Sequence, residues 1–152
     1  KEPDSRIDDY IRSRDGIGWT WEKPYTRNGQ FAWCGAFAAF AWSSVRFSIR
    51  QKIFPSCYRL YSRWLNTARH IETDQMLPGD IVVVYTSKRS VQGDHITLCS
   101  EAPDCDGNFK TIEGNAHGTA GDGERAEGVV KNVRSLDQVA HVYRLLSEDF
   151  DE

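Results

Sequence analysis

A chain of 152 residues, 39% hydrophobic and 27% charged, has the length of a single domain and the composition of an ordinary globular protein. No apolar run approaches the roughly 20 residues that cross a bilayer, so no membrane span is expected. The net charge of −3 speaks against nucleic acid as the main partner, because such a footprint usually makes the whole domain basic.

That total conceals two unlike halves. Residues 1–70 hold twelve Lys and Arg against six Asp and Glu, whereas residues 71–152 hold seven against sixteen. Between Glu22 and Glu72 there is no acidic residue, while Lys23, Arg27, Arg46, Arg50, Lys52, Arg59, Arg63 and Arg69 are all basic. Such a field attracts anions and favours a thiolate.

The first segment, DSRIDDYIRSRDG, places Ile7, Tyr10 and Ile11 at helical spacing and stops at Gly16, which predicts a short helix. Residues 16–32, with Gly16, Gly18, Pro24, Asn28 and Gly29, read as loop. From Trp33 to Arg46, alanines and aromatics predict a helix that is apolar nearly all round and therefore buried. PSCYRLYSRWLNTARHIE predicts another, with Ser56 as N-cap and Leu60, Trp64 and Leu65 as its packing side.

After LPGD the pattern changes. Residues 81–86, 95–101, 108–114, 128–134 and 140–146 are short, β-branched or alternating, and separated by Gly, Asp and Pro. They predict an antiparallel sheet, with PDCDG as a hairpin turn pairing Ala102 with Asn108 and Leu98 with Ile112. Residues 118–125, GTAGDGER, read as a loop, with His117 beside it; the lysine and preceding apolar strand of a phosphate loop are absent. Helices first and strands second indicate an α+β fold.

Four cysteines, Cys34, Cys57, Cys99 and Cys105, match no disulfide framework, and free thiols are expected. A thiol nucleophile is helped by a helix N-terminus, and Cys34 stands at the start of the buried helix, with Cys57 as its rival. Such chemistry also needs a base and a group that orients it. Of His70, His95, His117 and His141, His95 opens a strand directly after QGD. Glu113 and Asn115 stand two apart in TIEGN, on one face if the strand runs on. On the hairpin register above, His95 falls opposite Asn115 and one step from Glu113.

WCGAF opening a helix, followed by LPGDIVVV, DHITL and FKTIEGN, resembles the CHAP and NlpC/P60 group of cysteine peptidases and amidases. The four blocks span about residues 30 to 115 and lie closer to CHAP than to its relatives. The resemblance implies a papain-like α+β fold and hydrolysis of an amide bond in bacterial peptidoglycan. It implies Cys34 as nucleophile, His95 as base and Glu113 as orienting carboxylate, with Asn115 in support.

Gln30 is a candidate oxyanion donor beside the backbone N–H of Cys34, and Trp33, Arg59 and Arg63 are candidate substrate-binding residues. Threonine and cysteine in DHITLC depart from the family's small or aliphatic residues. No acidic cluster precedes Cys34, so neither metal nor other cofactor is expected, and no CxxC pair suggests zinc. The chain is expected to be one peptidase domain, 1–152, cut from a longer protein and similar to the N-terminal domain of a phage endolysin. It would be made without a conventional signal, act on the cell wall, and rely on a wall-binding domain outside this chain. The competing reading is an anion- or nucleic-acid-binding module built on the basic, aromatic-rich helical half.

Overall fold

Ile81–Val84 has no polar face, and a strand of this kind is stable only when both of its faces are covered. The computed structural model, which describes residues 57–86, 89–119 and 125–149 together with Ala38 and Ala41, buries all four residues completely. One helix is described in full, α1 (Cys57–Trp64). The strands are β1 (His70–Ile71), β2 (Ile81–Val84), β3 (His95–Glu101), β4 (Asn108–Thr119), β5 (Arg125–Ser135) and β6 (Val139–Tyr143). They form one antiparallel sheet in the order β1-β6-β2-β3-β4-β5, so the architecture is α+β. Ala38 and Ala41, within the stretch expected to be a buried helix, are helical; the helix expected over 4–16 lies outside the described residues. No helix among the described residues is long and apolar enough to cross a membrane.

The alternation of side chains divides the core in two. On one face Ile81, Val83, Ile96 and Tyr143 pack with Leu60 and Trp64 of α1 and with Ala38. On the other, Val82, Val84, Cys99 and Val142 pack with Met76 and Phe109. Central β2 is thus buried by helices on one side and by connecting segments and neighbouring strands on the other.

The helix expected over residues 55–72 stops at Trp64. The amide and the hydroxyl of Thr67 both donate to the Trp64 carbonyl, at 3.1 and 2.7 Å, turning the chain out of the helix. His70 and Ile71 then pair with Tyr143 and Val142 as β1, an edge strand too short to announce itself in sequence. Strands β4 and β5 are longer than their apolar cores suggested, because Ala116, His117 and Gly118 pair with Gly128, Glu127 and Ala126. His117, Gly118, Thr119 and Arg125 therefore belong to strands rather than to a loop.

The LPGD stretch is a turn with a structural anion. Gly79 has φ +92°, the conformation that the third residue of a type II turn requires after proline. Asp80 accepts from the Leu77 amide at 2.9 Å and from Arg144 Nε and Nη2 at 2.8 and 2.9 Å. Asp149 is likewise buried and takes Arg69 Nε at 3.0 Å and Nη2 at 2.6 Å, which ties the segment after β6 to the turn before β1. Arginine suits both places because its fork satisfies two carboxylate oxygens at once.

Tyr143 is fully buried, edge-on to Trp64 with ring centroids 5.9 Å apart, and its hydroxyl has no hydrogen-bond partner among the described residues. A buried hydroxyl without a partner costs free energy. Tyr143→Phe is therefore expected to leave the protein as stable as before or up to about 1 kcal/mol more stable in urea unfolding. A loss of more than about 1 kcal/mol would mean that the hydroxyl is bonded.

Candidate functional site

The link from β2 to β3 determines where His95 begins. The Asp94 amide donates to the Val84 carbonyl at 3.0 Å, and the Asp94 carboxylate accepts from the Thr86 amide and hydroxyl at 2.7 and 2.8 Å. Gly93, with φ +79°, makes the reversal possible within a buried turn. His95 then pairs with Val84 as the first residue of β3, only 7% exposed.

Alternation puts His95 on the face away from α1, with Thr97 and Cys99. On β4 the same face holds Phe109, Thr111 and Glu113, because Leu98 pairs with Ile112 and Cys99 with Thr111. The Leu98–Ile112 register is the expected one. The expected Ala102–Asn108 pair does not form, because a bulge between Cys99 and Glu101 shifts Glu101 onto Lys110. The result is a diagonal meeting across the two strands: His95 Nε2 lies 2.9 Å from Glu113 Oε1.

Glu113 is fully buried, yet it is not left to one partner. Arg134 grips it from β5 with Nε 2.7 Å from Oε2 and Nη2 2.6 Å from Oε1. Asn132 Nδ2 donates to Oε1 at 3.2 Å, and the Thr111 hydroxyl donates to Oε2 in a short bond. Burial opposes ionisation, but the bonds from Arg134, His95 and Thr111 outweigh it and hold the carboxyl well below the usual carboxylate range.

An ionised carboxylate only accepts, so Nε2 of His95 carries the hydrogen. In the neutral ring Nδ1 is then the basic atom, and the imidazole is held in one tautomer and one orientation. Such a carboxylate contact is one that can orient an imidazole for general-base chemistry.

The other histidines are engaged elsewhere. His141 Nε2 donates to the Val91 carbonyl at 2.8 Å, which leaves its Nδ1 to accept from His70 Nε2 at 3.3 Å. Burial, and then the neighbouring His141, lowers the pKa of His70 and favours its neutral form. His117 is in β4, away from the expected loop.

Asn115 is also in β4, but the β4–β5 register shifts between Glu113 and Ala116, so strict alternation does not carry from Glu113 to Asn115. Cys57 is the first residue of α1 and half-buried, while Cys105 is exposed in the β3–β4 turn. Cys99 is buried, and burial, then the nearby Asp80, pushes its thiol up to about 11, too high for a nucleophile at neutral pH. None of these three is in a disulfide. Arg59 and Arg63 lie on the exposed side of α1. Cys34, Gln30 and Trp33 fall outside the described residues. Among the described residues no group of three or more His, Cys, Asp and Glu is arranged to hold a metal ion.

Three members of the site are absent from the sequence-based reading: Thr111, Asn132 and Arg134. Thr111 was accessible to it, standing two residues before Glu113 on the same strand face. Asn132 and Arg134 alternate in KNVR, but their approach to Glu113 depends on the β4–β5 register, in which Thr111 pairs with Asn132 and Phe109 with Arg134. No family model matches the chain, and no curated protein matches it.

Proposed function

We propose that this protein is a cysteine peptidase or amidase of papain-like fold that cleaves an amide bond in bacterial peptidoglycan. The observation that carries the reading is the buried His95–Glu113 pair at 2.9 Å, in which an ionised carboxylate fixes the imidazole with Nδ1 as its basic atom. Cys34, four residues before the helical Ala38, is the nucleophile of this reading; Ala38 itself packs with Ile96, on the face of the sheet opposite His95. One further feature supports the reading. Two of the three described cysteines are poor alternatives, Cys99 because its thiol is held protonated and Cys105 because it lies in an exposed turn.

In this mechanism Nδ1 of His95 takes the proton of the Cys34 thiol, and the thiolate attacks the amide carbonyl carbon. The imidazolium returns the proton to the departing amine as the C–N bond breaks, leaving a thioester. Water, deprotonated by Nδ1, then attacks the thioester, and the sulfur leaves as thiolate. Glu113 stays ionised throughout and stabilises the imidazolium while it exists. Arg59 and Arg63, exposed and basic, would steer the carboxylates of the stem peptide.

The test is digestion of purified peptidoglycan by the wild type and by Cys34→Ala, with released fragments weighed by mass spectrometry. The wild type is expected to release fragments whose masses name the bond, and the variant to be slower by about three orders of magnitude or more. Equal release by both proteins would remove Cys34 from the mechanism. Release by neither, across several wall types, would favour the anion-binding reading of the basic half.

A further inference from the structure

One contact from a carboxylate is enough to orient an imidazole, yet Glu113 is built into a larger arrangement. Oε1 accepts from His95, from Asn132 and from Arg134 Nη2, while Oε2 accepts from Arg134 Nε and from Thr111. The Arg134 side chain is 13% exposed and that of Glu113 is 0%, so the two charges face each other with little solvent between. A carboxylate acting alone on a buried histidine does two things: it orients the ring and it holds the ring protonated. The second hinders a group that must give its proton to a leaving amine within each turnover.

We propose that Arg134 is a positioning residue of this site: it clamps Glu113 in a two-point contact and takes up its negative charge, so that His95 is oriented without being locked as imidazolium. The catalytic consequence rests on the hydrolase reading above, whereas the sharing of charge does not. Several described groups bear on His95. Glu113 approaches from β4, and Arg134 with Asn132 from β5 by way of Glu113. On β2 the residue opposite is the apolar Val84. Asp94, preceding His95, directs its carboxylate to Thr86. Loss of the Arg134 charge therefore leaves the Glu113 carboxylate facing the ring without the cation that offsets it.

The experiment is an NMR titration of the His95 ring in the full chain, for the wild type, Arg134→Gln and the double variant Arg134→Gln with Glu113→Gln. In Arg134→Gln the proton affinity of His95 is expected to rise about tenfold or more, as for a histidine facing an uncompensated carboxylate. In the double variant, which buries no lone charge and is the more secure folder, it is expected to return to within about threefold of the wild type. No rise in Arg134→Gln overturns the proposal. So does a fall of tenfold or more in the double variant, because that is the result if Glu113 acts on His95 unshared.

A merely structural arginine would alter stability and leave these titrations in place. The acid limb of the pH profile for peptidoglycan release should move upward with His95 in Arg134→Gln. If the wild type releases nothing, the hydrolase reading fails while the titrations still decide whether the charge is shared.

Discussion

Glu113→Ala is expected to cost about 3–5 kcal/mol of folding stability, read as a shift in the midpoint of urea unfolding at pH 7. The loss comes less from the missing carboxylate than from what it leaves behind. The Arg134 guanidinium, 13% exposed, would remain charged with no anion facing it, and Thr111, fully buried, would lose the acceptor of its short bond. Glu113→Gln keeps the shape and one acceptor oxygen and should cost less.

The same residue predicts a pH dependence. Its folded carboxyl is held well below the usual range, so the stability it contributes is complete above the ordinary glutamate value of about 4.3. That contribution is lost as the pH falls below about 4.3 towards the depressed folded value. Unfolding measured at pH 7 and pH 4 should show the wild type losing stability on acidification and Glu113→Gln losing less. An Ala variant within about 1 kcal/mol of wild type would show that the guanidinium finds water or another acceptor.

Gly93→Ala should be nearly as damaging, although it adds a single methyl group. Gly93 has φ +79°, and a side chain in that conformation costs about 1–2 kcal/mol. A Cβ placed there would lie 2.6 Å from Val83 Cγ1, 3.0 Å from the Ala140 Cβ and 3.3 Å from the Val84 carbonyl oxygen. Val83 is fully buried in central β2 and cannot swing into solvent, so relieving the clash adds about 1–3 kcal/mol of overpacking. The expected total is about 2–5 kcal/mol.

Because Asp94 and His95 follow directly, relief by backbone movement would also shift the imidazole away from Glu113. The NMR signals of the His95 ring should therefore move in whatever fraction of the variant remains folded. A loss below about 1 kcal/mol with an unchanged His95 spectrum would contradict the close approach.

The candidate pair was legible in sequence for a definite reason. His95 and Glu113 are local partners, joined by a hairpin whose turn, PDCDG, carries its own signal, and the Leu98–Ile112 register could be counted inward from it. The count failed near the turn, where the bulge between Cys99 and Glu101 inserts a residue, and again beyond Glu113, where the β4–β5 register shifts before Ala116. Bulges depend on how neighbouring strands twist together, and alternation in a single strand carries no mark of them. The end of α1 was missed differently. Arg69, His70 and Ile71 suit a helix locally, but pairing with β6 and the bond of Arg69 to Asp149, eighty residues away, draw them into other structure.

What the sequence by itself determined is the set of elements whose signal is local: the apolar run of β2, the β3–β4 hairpin, and with it the nearness of His95 to Glu113. These follow from side-chain period and from φ preferences of glycine and proline, which neighbouring residues suffice to express. Only the tertiary structure decided the order in which β6 and β1 join the sheet and which arginine meets which buried acid. It alone brought Asn132 and Arg134 from β5 to the far side of Glu113. Those choices turn on desolvation: a buried carboxylate must find its cation wherever the fold can supply one, and the partner's distance along the chain does not enter that energy.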